Sequence, residues 1–220
     1  MKLPVEYIEA SGIPDAWFQA VSRVQEIGFR YVIQQGSFVG QTRLEFDHVT
    51  IQITHPYAEP YDLMLPDISP TLGIPNPVAL GYVDQYLPYL MSETLLPGEQ
   101  YTYGSRIWPW VPVMIELLRK TPNTNQAILQ VGEPIDCKLK DPPCLRHIDM
   151  RVKNEALIFY PYFRSWDLWG GFPANLAAIA VLQKYMADEI GVAQGPMIAS
   201  SKGLHLYGYV EQLAKLRCHK

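Results

Sequence analysis

An α+β fold is predicted for these 220 residues by three observations: apolar stripes at helical spacing between start and stop signals, runs of near-alternating β-branched and aromatic residues, and an apolar share of 48% against 18% charged. The profile is globular, and the length supports one compact core, so the chain is read as a single domain spanning 1–220, a mixed sheet packed with helices. Alternation of strands with helices further predicts a largely continuous sheet.

Residues 15–27 read as a helix, because Pro14 and Asp15 are start signals, Gly28 is a stop, and Trp17, Val21 and Val24 fall on one stripe. From Arg30 to Pro56 the alternation is broken at Gly36 and Gly40, which predicts two strands around a loop suited to an anion. Prolines then recur through residues 58–77 too often for helix or sheet, while apolar residues persist; this is an irregular segment packed on the core. Residues 78–91 predict a short helix interrupted near Pro88, and 109–124 a second helix ended by Pro122. Residues 125–140 read as strand, and 147–165 as two strands joined at Asn154 and Glu155. The clearest helix lies in the segment 173–191, with Pro173 near its start, Gly191 just after its end, and Leu176, Ala180 and Ile190 toward the core.

A formal charge of −4 leaves no basic patch of the size a nucleic-acid polymer needs, though a single nucleotide remains admissible. Nowhere do eighteen uninterrupted apolar residues occur, and the amino terminus has a proline and acids where a signal peptide has an apolar run. The expectation is a cytoplasmic protein without a membrane partner. Cys137, Cys144 and Cys218 cannot all pair internally, so at least one thiol is expected free.

Phosphate-loop, G-x-G-x-x-G and H-E-x-x-H motifs are missing. The segment "DPPCLRH" offers Cys144 and His147 but no second cysteine, so neither a zinc deaminase nor another metal site is predicted. Taken alone, Cys144 is either a small buried thiol or a nucleophile served by His147, His205 or His48. A second segment, "YFRSWDLWGGFPANLAA", tips the balance. Arg164, Ser165 and Asp167 follow a strand, and two glycines and a proline precede a helix whose first turn holds Asn175. Such a junction gathers a phosphate-binding fork, a hydroxyl, a carboxylate and an amide at one rim.

With "KGLHLYGY" these two segments resemble, in order and spacing, the motifs of the thymidylate synthase family, closest to its short archaeal-type branch. The likeness is close from Gln126 to Tyr207 and extends to Tyr103 and Gly104. It implies a thymidylate synthase-like fold and the conversion of dUMP to dTMP. The one-carbon donor it implies is a reduced pterin, methylene-tetrahydrofolate or methylene-tetrahydromethanopterin. By the resemblance, Cys144 adds to C6 of the pyrimidine, with its thiol pKa lowered by Arg164 and Arg146, and Tyr103 belongs to the catalytic set. Arg164 and Ser165 hold the 5′-phosphate, Asp167 orders the pterin and water, Asn175 reads the base edge, and His205 and Tyr207 contact the 3′-hydroxyl. Among Asp84, Gln85 and Glu93, Asp84 is the choice for the family's catalytic glutamate.

The chain also departs from the family's common form. Leu145 rather than histidine follows the cysteine, and Asn125 and Gln126 stand where an arginine pair reaches a partner subunit's phosphate. Arg43 and Lys202 are the replacement candidates, and either a homodimer or a monomer is admissible. After Tyr207 the sequence continues only as "GYVEQLAKLRCHK", without the long tail whose end closes over the folate in the common form. A dUMP or dCMP hydroxymethylase, or a non-catalytic nucleotide binder on the same scaffold, are the competing readings.

Overall fold

The computed structural model describes residues 3–36 and 38–218; Ser37 of the predicted anion loop lies outside the described residues. The α+β class holds, but the strands form two sheets rather than one. Strands β1 (Glu6–Ala10), β4 (Val49–Ile53), β5 (Ile128–Gln130), β6 (Leu145–Lys153), β7 (Ala156–Phe163) and β9 (Ala193–Ser201) make a mixed sheet in the order β1-β4-β9-β7-β6-β5. Strands β2 (Phe29–Val32), β3 (Thr42–Glu45), β8 (Trp166–Asp167) and β10 (Leu204–Tyr207) make a second, in the order β2-β3-β10-β8.

The reason is a seam. Three times the chain leaves one sheet and enters the other after two or three residues: Glu45 to Val49, Phe163 to Trp166, and Ser201 to Leu204. In both sheets the strands so connected are neighbours, β4-β9-β7 in the large one and β3-β10-β8 in the small one. The seam is stitched by Phe46 N–H to the Leu204 carbonyl (3.0 Å) and Trp166 N–H to the Gly203 carbonyl (2.9 Å). Arg164, Ser165 and Lys202 sit on it, because polar residues interrupt each β pattern there.

The core lies between the large sheet and helix α5 (Gly171–Ile190), of which Leu176 and Ala180 are fully buried and Ile190 partly so. Helix α1 (Ile13–Ile27) buries the predicted Trp17, Val21 and Val24, and the Trp17 indole donates to the carbonyls of Leu168 and Trp169. Helices α2 (Tyr82–Met91), α3 (Tyr103–Ile107) and α4 (Val111–Lys120) cover the remaining side, and α6 (Gly208–Arg217) follows β10. Helix α2 is not interrupted at Pro88: the residue forfeits a single intrahelical donor, and packing against α3 and α5 holds the helix together. Residues 58–77 are irregular apart from two short 3₁₀ turns, as expected.

Two other readings need correction. Residues 30–56 hold parts of three strands, not two, since the chain changes sheet after Glu45. Strand structure in 125–140 is confined to β5, because Pro134 cannot donate to a ladder and the segment turns into a 3₁₀ helix over Pro134–Lys138. There Asp136 is buried against Arg106, which grips it with two bonds of 2.7 Å.

The hairpin joining β6 and β7 turns at Asn154 and Glu155, both with positive φ (52° and 57°), as in the turn type that matches strand twist. Its register is regular from Lys153 opposite Ala156 to His147 opposite Tyr162, then shifts so that Leu145 faces Phe163. Arg146 is the extra residue of a bulge. On the face of the large sheet away from α5, Ile158, Tyr160, Tyr162, Pro196 and Ile198 are half-exposed.

Candidate active site

The bulge places Cys144 beside Arg164, whose backbone N–H donates to the Cys144 carbonyl at 2.9 Å. A cavity of about 470 Å³ opens there, lined by Cys144, Arg164 and Ser165 from the seam, Arg43 and Tyr207 from the small sheet, and Lys140 and Asp141 from the loop ahead of the cysteine. The loop between β2 and β3 closes its rim with Gln35, Gly36 and Phe38, and the Phe38 ring packs 4.8 Å from that of Tyr207. Among the described lining residues Arg43, Lys140 and Arg164 face one carboxylate, Asp141, and with Glu45 paired to Arg43 just outside the lining the cavity keeps a net positive charge, which suits a phosphate.

Burial pushes the Cys144 thiol above its ordinary pKa; Arg164 is the main counterweight, with Asp141 pushing up and Arg146 pulling down. The arginines thus act in the expected direction, but desolvation outweighs them, and the resting group is a thiol rather than a thiolate. Tyr89, Tyr101, Tyr103 and Tyr207 all feel its charge, and burial raises each of these phenols, Tyr101 and Tyr207 to about 12. They are hydrogen-bond donors, not bases, at neutral pH. The Tyr103 hydroxyl itself accepts from the Leu145 N–H at 3.4 Å, next to the thiol.

Arg164 is already engaged: its guanidinium donates to the Pro142 and Pro143 carbonyls and lies 3.6 Å from Asp141. Arg43 is paired with Glu45 at 2.6 Å. Lys202 is exposed and outside the cavity lining, felt chiefly by Glu45, whereas Lys140, which sequence reasoning passed over, lines the cavity. Its only signal in the sequence is its place four residues before the cysteine.

A second cavity of about 270 Å³ lies between α2 and the start of α5, lined by Pro77, Tyr82, Tyr86, Asp167 and Asn175. Ser165 lines the first cavity and Asp167 the second, with only Trp166 between them in the chain. The Asp167 carboxylate accepts from the N–H groups of Trp169, Gly170 and Gly171 (2.9 to 3.2 Å), capping the entry to α5. The His205 Nδ1–H donates to the Gly203 carbonyl (2.8 Å), and its buried Nε2 has no hydrogen-bond partner among the described residues. Burial lowers the His205 pKa, so the ring is neutral, and with Nδ1–H turned to Gly203 its Nε2 is an open acceptor.

The structure thus groups Cys144, Arg164, Ser165, Arg43 and Tyr207 around one cavity, with Asp167 and Asn175 in the adjoining one; Tyr103 and His205 do not line the first cavity, and reach it through the Leu145 N–H beside the thiol and the Tyr207 ring. Asp84 is placed elsewhere, in a cleft of about 740 Å³ with Tyr57, Tyr61, Lys184 and Asp188. The α2 residue that meets Asn175 is Tyr86, at 2.8 Å. His147 stacks on Tyr162 and does not line the cavity with Cys144. Asn125 bonds Arg151, and both line a separate cleft with Tyr160.

Among the described residues, no group of three or more His, Cys, Asp and Glu side chains is placed to hold a metal ion, and no helix is long and apolar enough to cross a membrane.

A family model described as thymidylate synthase matches residues 106–219. A protein of Methanosarcina mazei named "Putative thymidylate synthase" is 27% identical over 221 residues, covering 94% of each chain. One of the same name from Methanococcoides burtonii is 28% identical over 211 residues, covering 92% of this chain and 89% of that one. The protein named "Thymidylate synthase" in Listeria monocytogenes is 31% identical over 102 residues, 46% of this chain and 32% of its own length. The family match covers more than half of the sequence and includes Cys144, Arg164, Asp167, Asn175 and His205: the chain belongs to the thymidylate synthase family.

Proposed function

We propose that this protein methylates dUMP to dTMP with a reduced pterin as one-carbon donor, methylene-tetrahydrofolate or methylene-tetrahydromethanopterin. The observation that carries the proposal is a nucleophilic thiol sharing a net-cationic cavity with Arg164 and Ser165, one residue from a junction presenting Asp167 and Asn175. Arg164, Ser165, Lys140 and Arg43 take the 5′-phosphate, and Lys202 supports it from outside the lining. The unpaired His205 Nε2 accepts a hydrogen bond from the sugar 3′-hydroxyl, with Tyr207 beside it. Asn175 reads O4 and N3 of the base.

Once ionised, the Cys144 sulfur forms a bond to C6 while the C5–C6 π electrons move toward C5 and O4, which makes C5 a carbon nucleophile. Tyr103 and the other raised phenols keep their protons and donate hydrogen bonds around the reacting ring. Loss of the C5 proton to solvent water and departure of the cysteine, which takes back the C6–S bonding pair, restore the C5–C6 double bond and the free thiolate. The second cavity fits a flat heteroaromatic ring: Tyr82 and Tyr86 stack at 6.1 Å and leave aromatic surface beside the Asp167 carboxylate. When bound, the pterin supplies the carbon and the hydride; Asp167 and Tyr82 would hold it. No step is assigned to Asp84. Free thiols at Cys137, Cys144 and Cys218 suit a reducing compartment such as the cytoplasm, and a second copy docked on the half-exposed sheet face of Ile158, Tyr160 and Ile198 would make a homodimer.

The test is tritium release from C5 of labelled dUMP with each pterin in turn, together with mass spectrometry of the adduct formed by 5-fluoro-dUMP. Release with formation of dTMP and an adduct on Cys144 is expected. Release yielding 5-hydroxymethyl-dUMP would assign the hydroxymethylase instead. An adduct on Cys137 or Cys218, or no release with either pterin, would end the proposal.

A further inference from the structure

The Asn175 side chain is held from two directions. Its Oδ1 accepts from the indole Nε1 of Trp166 at 3.0 Å, and its Nδ2 donates to the Tyr86 hydroxyl at 2.8 Å. A primary amide turned by half a revolution exchanges its donor and acceptor, and the two orientations read different pyrimidines. Uracil presents an acceptor at O4 beside a donor at N3, and cytosine a donor at N4 beside an acceptor at N3. An amide free to turn therefore matches both bases.

The two partners of Asn175 differ in what they tolerate. A hydroxyl donates or accepts, so Tyr86 bonds the amide in either orientation. An indole N–H only donates, so Trp166 accepts one orientation alone, with Oδ1 toward it. Nor can the indole swing aside: Trp166 is 2% exposed, stacks on Phe163 at 3.9 Å and 6°, packs on Phe172, and is tied through its backbone to Gly203. A turned amide would set two donors against each other and strand a buried N–H, which disfavours that orientation by on the order of tenfold to a hundredfold.

We infer that Trp166 sets the pyrimidine selectivity of the site, as a positioning residue that commits the Asn175 amide to the orientation that reads uracil. The inference rests on the nucleotide reading of the site and deepens it. Trp166 touches no base itself; it acts through Asn175.

Trp166→Phe removes the donor and keeps a ring to stack on Phe163. Calorimetric binding of dUMP and dCMP to the full chain gives the ratio of their dissociation constants, with the melting temperature recorded as a check on folding. The ratio is expected to shift toward dCMP by about tenfold in Trp166→Phe. Tyr86→Phe is expected to weaken both ligands and leave the ratio nearly unchanged, since Tyr86 is indifferent to the orientation. Should Trp166→Phe not fold, 3-benzothienylalanine incorporated at position 166 keeps the bicyclic shape with sulfur in place of N–H, and the same shift is expected. An unchanged ratio in a folded variant that lacks the donor overturns the role of Trp166 while leaving the nucleotide reading intact. A wild-type protein that binds both nucleotides equally also overturns the role of Trp166 alone, and one that binds neither overturns the nucleotide reading with it.

Discussion

Arg164 Nη2 lies 2.5 Å from the carbonyl oxygen of Pro142, two residues ahead of Cys144. The same guanidinium holds the Pro143 carbonyl and faces Asp141, so the side chain expected to bind phosphate also shapes the loop that presents the thiol. Phosphate binding and cysteine reactivity are therefore coupled through one residue.

Alkylation of Cys144 by iodoacetamide, followed by peptide mass spectrometry, reports that coupling. Because burial raises the thiol pKa, the rate near neutral pH should fall below that of a free cysteine and climb with pH into and beyond the ordinary thiol range. Arg164→Leu removes the largest lowering charge and should move the profile further up; Asp141→Asn should move it down. Identical profiles in all three proteins would contradict the electrostatic account.

Nucleotide affinity should grade with distance from the cavity. Arg164→Ala is expected to nearly abolish dUMP binding, and Lys140→Ala and Arg43→Ala to weaken it by about tenfold each, the scale of one charge-assisted contact. Lys202→Ala should cost less and Gln126→Ala almost nothing. Mixing Cys144→Ser with Arg164→Ala subunits should restore no activity, since both residues serve one chain's cavity. Recovery by mixing Cys144→Ser with Arg43→Ala would instead place Arg43 in the neighbouring subunit's site.

Gln183 makes a stability test. Its buried amide donates to the carbonyls of Leu157, Gly195 and Pro196 (2.8 to 3.2 Å), replacing ladder bonds where Pro196 interrupts β9 and the pairing with β7 slips. Gln183→Leu should cost about 2–3 kcal/mol by leaving buried acceptors without a donor. Urea denaturation measures it; a loss under about 0.5 kcal/mol, the scale of a surface change, would show that these bonds add nothing.

That glutamine also explains a limit of sequence reading. Strand β9 was invisible because Gly195 and Pro196 argue against a central strand, and only a donor supplied from α5 makes one possible. Helices α1 and α5 were legible because their stripes and end signals are local. The two sheets were not, since the seam is a property of which strands become neighbours. Within the site, Cys144, Arg164, Asp167 and Asn175 stood in motifs. The Tyr86 contact with Asn175 depends on how α2 packs and leaves no mark in the order of residues, and Lys140, marked only by its nearness to the cysteine, enters the cavity through the way its loop folds.

The hairpin turn offers a gain rather than a loss. Glu155 carries a side chain at a φ of 57°, where glycine is at ease. Glu155→Gly should stabilise the protein by about 0.5–1 kcal/mol, after the greater freedom of glycine in the unfolded chain is discounted. A lowered melting temperature would mean that the glutamate side chain supports the turn in a way its backbone angles do not show.

The bulge at Arg146 makes spacing here a matter of parity. Strand residues alternate between faces, so a hairpin counts in twos, and the single extra residue between Leu145 and His147 converts an odd count into the one that sets Cys144 beside Arg164. Deleting one residue at that point would leave every motif in the sequence readable and in order, yet turn the thiol toward the opposite side of the sheet. Homologues with insertions or deletions in this stretch should therefore change length on both strands together, or keep the offset by another irregularity nearby.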